Sequence, residues 1–311
     1  MKKMIFVLLT IFSMLLISGC SRSTKAEIYA TVYPVEFIVK EIAKEEFTVA
    51  NVYPRGSNVH DYELSIKTIA NMTEAKAIFY IGLNLEPAIC NGVNSTFKNV
   101  NTVALTEGMA GLISGSDHDH SSESHAEDEN VIKYYDPHVW TDPLKMIHMT
   151  NLVRDELINL KPEKEAFFRE NASALMIKLS DLDFKLNSTI NGDNVLYKVI
   201  MVDHNAYNYW SRYGLEILKT RQTNDTTEVS PAEFQAIVQL AKEHNLKYII
   251  TTKNEAGNEE LINKIVQEIQ GEKIDMHNLS TITILEYESK ENYFTIMENN
   301  IKVLEKVLPR N

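Results

Sequence analysis

Cysteine is almost missing from this chain: Cys20 and Cys90 are its only two in 311 residues. A fold stapled by several disulfides is therefore excluded. Basic residues are also short, 31 against 43 acidic ones, for a net charge of −12. That balance argues against a nucleic-acid surface and permits a cationic partner. Hydrolytic signatures are missing too, with no His-Glu-x-x-His helix and no nucleophile elbow. No short-period repeat is present. What remains is globular composition, 44% hydrophobic and 24% charged. Single cores stop growing near roughly 250–300 residues, so two domains are expected.

Long apolar runs are confined to the N-terminus. Met1-Lys2-Lys3 is positive, Met4 to Ile17 is almost unbroken hydrocarbon, and Ser18-Gly19-Cys20 brings small residues up to a cysteine. The run falls short of the roughly 20 residues that a spanning helix needs. Residues 1–19 read as a secretory signal, and Cys20 at the cleavage point is the bacterial lipoprotein arrangement, a lipid anchor to the membrane. Residues 20–26 are then a polar tether. Once Cys20 carries lipid, Cys90 has no intramolecular partner. In the helix-start pattern Glu86-Pro87-Ala88-Ile89-Cys90 it reads as a small buried apolar side chain rather than a metal ligand.

From Glu27 the chain alternates strand-like and helix-like segments. Glu27 to Tyr33, Phe47 to Tyr53 and Ala77 to Ile81 are strand-like; Pro34 to Glu46 and Leu64 to Ala75 are helix-like. Such alternation predicts an α/β fold with a parallel sheet flanked by helices. The pattern stops after Asn101 to Ala104. Residues 114–130 have no apolar periodicity, and Asp117 to Glu129 holds six acids and three histidines, His118, His120 and His125, without a lysine or arginine. A segment so poor in apolar surface does not fold by itself. It reads as an acidic loop, and its histidines as accessory metal ligands.

Asp142-Pro143 is an N-cap followed by proline at the first helical position. His148 lies inside the helix that follows and reads as a helix-surface residue. Lys161-Pro162 opens a second helix, in which Phe168, Ala172, Leu175, Leu179, Leu182 and Leu186 recur at spacings of three and four. Carried from Pro162 to Ile190 it would be roughly 43 Å long at 1.5 Å per residue, and Asn191-Gly192 ends it. A helix of that length between two α/β halves is a candidate spine. Alternation then restarts, with strand-like Val195 to Val202, Tyr248 to Thr251 and Lys273 to Met276. Helices are expected from Pro231, capped by Ser230, over Asn258 to Gln270, and over Tyr293 to Val307.

Three histidines share one local setting, the end of a strand-like segment before a helix-like one. They are His60 in Pro54-Arg55-Gly56-Ser57-Asn58-Val59-His60, His138 in Tyr134-Tyr135-Asp136-Pro137-His138-Val139-Trp140, and His204 in Val202-Asp203-His204-Asn205. One such histidine is ordinarily a surface or packed residue. Three at strand ends, where α/β folds build their sites, converge on one transition-metal centre. His277 follows the strand-like Lys273 to Met276 in the same way and is the candidate fourth ligand.

These landmarks resemble the metal-binding solute receptors of bacterial ABC importers, the cluster A-I type, and within them the zinc-specific branch. The resemblance rests on Gly56-Ser57-Asn58-Val59-His60-Asp61-Tyr62-Glu63, Gly82-Leu83-Asn84-Leu85-Glu86-Pro87, Asp136 to Pro143, Asp203-His204-Asn205-Ala206-Tyr207 with Tyr213-Gly214-Leu215, and Glu228-Val229-Ser230-Pro231. It implies two α/β lobes, residues 27–160 and 192–311, joined by a rigid helix over 161–191, with the metal in the interlobe cleft. It also implies an extracytoplasmic, lipid-anchored monomer that hands Zn2+ to an ABC permease, with no catalysis and no nucleic acid. Manganese-binding relatives carry a carboxylate where His204 stands, and nitrogen-rich sites suit zinc on chemical grounds as well. Two departures stand out. Zinc relatives often place an acidic ligand near Leu279-Ser280, and the family often has a glutamate around Thr251-Thr252; neither acid is present.

Three rivals stay open on the sequence: a manganese receptor of the same fold, a surface adhesin, and a zinc hydrolase. The hydrolase lacks recognisable machinery, because Asp61 and Asp203, the carboxylates adjoining the candidate ligands, fit an orienting or capping role better than catalysis.

Overall fold

The protein is seen here as a computed structural model that describes residues 25–60, 62–114, 134–220, 229–255 and 257–311. Its framework is two parallel sheets of four strands. The first holds β1 (Ile28–Ala30), β2 (Val49–Asn51), β3 (Ala77–Tyr80) and β4 (Asn101–Ala104) in the order β2-β1-β3-β4. The second holds β5 (Val199–Val202), β6 (Glu216–Lys219), β7 (Tyr248–Thr252) and β8 (Glu272–Met276) in the order β6-β5-β7-β8. The two halves are thus wound identically, although no repeat is visible in their residues. Parallel neighbours need crossover segments, which place helices over both faces of a sheet. Accordingly Ile28, Tyr29 and Ala30 of the first strand are all buried.

Nine α-helices lie among the described residues: α1 (Tyr33–Ala43), α2 (Ile66–Met72), α3 (Pro87–Cys90), α4 (Pro143–Leu160), α5 (Glu165–Ile190), α6 (Pro231–Glu243), α7 (Glu259–Ile269), α8 (Ile284–Glu288) and α9 (Tyr293–Val307). None of them is long and apolar enough to cross a membrane. The predicted caps are present. The Asp142 carboxylate accepts from Leu144 N–H with Pro143 opening α4, and Ser230 and Glu233 form a reciprocal box at the start of α6. The spine is shorter than the sequence predicts. Pro162–Lys164 is a 3-10 turn, and α5 proper runs 26 residues, roughly 39 Å. Its buried face is Phe168, Ala172, Leu175, Leu179, Leu182 and Leu186, the stripe the spacing predicts.

One apolar core runs from the first sheet through α4 and α5 into the second half, and a smaller one lies between β7, α6 and α7. Buried hydrogen bonds reinforce the junction. Trp140 Nε1 donates to the Asn278 carbonyl at 2.7 Å, and the Tyr293 hydroxyl donates to the Trp140 carbonyl at 2.8 Å. Trp210 Nε1 donates to the Thr141 carbonyl at 2.9 Å, and Arg212 grips the Asp142 carboxylate through two nitrogens at 2.8 and 2.9 Å. Paired forks of this kind fix orientation as well as distance. The strand ends of the two sheets are thereby held in a set relation, and their loops share one cleft.

Candidate metal centre

The loop after β2 carries His60, whose N–H is held by the Asn58 side chain at 2.9 Å. Left-handed Gly56 (φ +78) lets that loop bend beneath Thr283 of the other half, and Gly56 N–H donates to Thr281 Oγ1 at 2.9 Å. Arg55 fastens the same loop to Glu36 at 2.6 Å. His138 arrives differently from the expectation. It follows an isolated antiparallel bridge between Ser114 and Tyr135 rather than a sheet strand, and precedes the 3-10 turn Val139–Thr141. His204 stands two residues beyond the end of β5, as predicted.

These elements bring His60, His138 and His204 together, with one ligand atom from each lying within 4.8 Å of the others. Nε2 of His138 and Nε2 of His204 are 3.2 Å apart. Two nitrogens on a tetrahedral zinc, each about 2.0–2.1 Å from the ion, stand roughly 3.3–3.4 Å apart, so the spacing fits. Behind each ring lies a carboxylate. Asp136 Oδ1 is 2.7 Å from His138 Nδ1, and Glu255 Oε2 is 2.8 Å from His204 Nδ1. A carboxylate accepts from Nδ1–H, which turns the Nε2 lone pairs of both rings toward one another. A cation between them, or a proton shared at 3.2 Å, relieves that arrangement.

The electrostatics follow the same geometry. Burial works against the Asp136 carboxylate, but the His138 ring, its N–H and Asn208 hold its pKa below the usual range. Glu255 is likewise opposed by burial and kept low by His204, Asn278 and His60. Burial alone would depress His204, yet Glu255, with Asp203 and Asp136, holds its pKa above the ordinary value. Asp136 is anchored further by Asn208 at 2.7 Å.

His277 is not brought to this cluster. Its Nδ1 accepts from Leu279 N–H at 2.8 Å, and its buried Nε2 lies 3.7 Å from Glu286 Oε2. Neither nitrogen is part of the group that His60, His138 and His204 form. The His277 ring, followed by Lys253 and the Thr283 cap, keeps the Glu286 carboxylate far below its ordinary pKa against some burial. His148 bonds the Glu107 carbonyl through Nε2 at 2.9 Å within α4, and Cys90 is half-buried against the core. Asp203 caps the end of β7, accepting from Thr252 N–H and Thr252 Oγ1 at 3.1 and 2.9 Å. Cys20, Asp61, His118, His120 and His125 lie outside the described residues. The residue that sequence reasoning missed is Glu255. The resemblance implies a glutamate around Thr251-Thr252; Glu255 stands just past β7, beyond the left-handed Asn254 (φ 68).

Known proteins place this geometry. The zinc-binding lipoprotein AdcA of Streptococcus pneumoniae is 29% identical over 98% of this chain and 60% of its own length. The chain therefore spans about 60% of that relative. The high-affinity zinc uptake system protein ZnuA of Bacillus subtilis is 24% identical over 92% of this chain and 89% of its own. Among solved structures, the Zn(II)-bound ZnuA-like domain of Streptococcus pneumoniae AdcA superimposes with a TM-score of 0.75 at 26% identity, covering 91% of this chain and 98% of that one. Residues 28–307 match the family described as ZnuA, zinc-uptake complex component A, periplasmic, and the chain belongs to that family.

Proposed function

We propose that this protein is an extracytoplasmic zinc receptor that captures Zn2+ between two lobes and delivers it to the membrane permease of an ABC importer. The lobes are residues 27–160 and 192–311, and the helix within 161–191 joins them. His60, His138 and His204 hold the ion through ring nitrogens. The observation that carries the reading is the pair of Nε2 atoms 3.2 Å apart, each backed by a carboxylate on its Nδ1. Three nitrogen donors with no carboxylate among them favour zinc over manganese, which prefers oxygen. Transport, not catalysis, is the reading, because no candidate base or nucleophile is needed for it. Cys20 carries lipid and holds the protein, as a monomer, beside its permease; His118, His120 and His125 collect zinc weakly for the cleft.

Metal analysis of protein purified without added metal, followed by zinc–manganese competition, tests this reading. One tightly held zinc per chain, released to a strong chelator with the fold retained, is expected of a carrier. A chain that takes no zinc, or prefers manganese, overturns it. For the anchor, Cys20→Ala is expected to leave the membrane fraction; a variant that stays wholly with membranes refutes the lipid assignment.

A further inference from the structure

We infer that Glu255 is a positioning residue for the zinc site, an outer carboxylate that sets the ring of His204 and takes the place of the acid missing after β8. The inference rests on the zinc reading above and concerns a residue just past β7, the strand that pairs with His204's β5 in the second sheet. Its Oε2 meets His204 Nδ1 at 2.8 Å, which leaves Nε2 as the nitrogen facing His138. Its other oxygen, Oε1, accepts from the Asn278 side-chain amide. With one oxygen held on the imidazole and the other on an amide, the carboxylate stands behind the ligand rather than in the metal's own shell. A histidine ligand needs such a partner to fix its tautomer and ring plane.

The segment that presents Glu255 is held on both sides. Thr252 is bonded through N–H and hydroxyl to Asp203, the residue before His204. A Cβ on Gly257 would come within 2.9 Å of Asp203 Oδ2, so the segment closes over that carboxylate only because residue 257 is glycine. Between them, Asn254 turns through the left-handed region and donates to Glu286 at 3.0 and 3.1 Å, while Lys253 pairs with Glu286 at 2.7 Å.

Asn278 joins this arrangement to the other half of the molecule. Its carbonyl takes the Trp140 indole N–H at 2.7 Å, and the Trp140 ring lies edge-on to His138 with centroids 5.3 Å apart. A continuous set of contacts therefore runs His204–Glu255–Asn278–Trp140–His138, from one zinc ligand to the other across the cleft. Asn278, Leu279, Ser280 and Thr281 contain no acid. Glu255, reaching in from the neighbouring strand, brings the negative charge to this side, as Asp136 does on the other. The second carboxylate balances the dication without displacing a nitrogen donor, which keeps the site suited to zinc.

The test uses the whole protein, with zinc alone as the probe. Glu255→Ala is expected to weaken zinc binding roughly 10- to 100-fold, the range seen when the partner of a ligating histidine is removed. Nitrogen NMR of the metal-free protein should show His204 losing its Nδ1–H tautomer, and the preference for zinc over manganese should narrow. Glu255→Gln keeps an acceptor oxygen of the same reach, so it should recover the tautomer and part of the affinity. Placed on His204→Ala, Glu255→Ala should cost nothing further. Parent-like zinc affinity in Glu255→Ala overturns the inference, as does an unchanged His204 tautomer. A nitrogen-only zinc shell in X-ray absorption supports it, and an added carboxylate oxygen that vanishes in Glu255→Ala overturns it in favour of direct ligation. Failure of the parent to bind zinc would instead sink the functional reading.

Discussion

Nε2 of His138 and Nε2 of His204 face each other at 3.2 Å, although the two residues belong to different halves of the chain. Each ring is fixed from behind, so the pair is set before the ion arrives, and little ordering is left to oppose capture.

Replacing either ring should therefore abolish tight binding without unfolding the protein. His138→Ala and His204→Ala are each expected to lower zinc affinity by orders of magnitude. Competition against a chromophoric chelator reads the loss, and circular dichroism reads the fold. Parent-like affinity in His138→Ala removes the centre from this cleft. His60 is the most exposed of the three, so His60→Ala should be the least disruptive to the metal-free protein.

How much of this was legible in the sequence depended on whether a backbone or a side-chain direction was at issue. The strand-to-helix alternation was legible because parallel strands are short apolar runs, and His60, His138 and His204 announced themselves by position. The edge strand β6 went unseen. Glu216-Ile217-Leu218-Lys219 has exposed Glu216 and three half-buried residues, too short and mixed for a periodic signal. His277 had the right position at a strand end, but its ring direction depends on Leu279, whose left-handed backbone (φ 64) folds its own N–H onto Nδ1. A tertiary turn decides that outcome, and no local pattern encodes it. Glu255 was hidden for a related reason, since it stands on an irregular turn with no spacing to mark it.

The interlobe junction gives a stability prediction that is separate from metal binding. Tyr293 is fully buried, and its hydroxyl donates to the Trp140 carbonyl at 2.8 Å. Tyr293→Phe keeps the ring and leaves that carbonyl without this donor. A loss of about 1–3 kcal/mol is expected, read as a lower urea midpoint in metal-free protein. Zinc affinity should move much less. No change in the midpoint would mean that the bond contributes nothing net.

Acid should loosen the loop that carries His60. Burial opposes ionisation of Glu36, but Arg55 and Lys40, each 2.6 Å away, outweigh it and hold its pKa below the ordinary value. A carboxyl depressed on folding contributes stability that is present above its unfolded pKa of about 4.3 and is lost as pH falls through the lower folded value. Glu36→Gln removes that contribution. The variant should be less stable than the parent at pH 7, and the gap should shrink below roughly pH 4. Urea midpoints of both proteins at pH 7 and in that acid range decide it. Parallel curves would show that the Glu36 pair has no such role.

The last prediction concerns the acidic histidine loop. Residues 115–133 lie outside the described structure, but the residues on either side of them do not. Ser114 and Tyr135 pair as an antiparallel bridge, and directly opposed Cα atoms in such a bridge are about 4.5–5.5 Å apart. Asp136 N–H then bonds the Ile113 carbonyl at 2.9 Å, so the neck of the loop closes immediately before the carboxylate that orients His138. A short glycine-containing linker put in place of 115–133 would span that gap and should leave Asp136 and His138 in place. His118, His120 and His125 stand in a segment without apolar periodicity, and the entropy cost of fixing such a segment around one ion makes any zinc held there weak. The deletion protein should therefore keep one tight zinc per chain with unchanged affinity. It should lose only weak binding at high zinc, together with some speed of loading. Calorimetry for stoichiometry and stopped-flow chelator exchange for rate separate the two effects. Loss of the tight zinc on deletion would instead make a loop histidine a primary ligand and fill the fourth position from there.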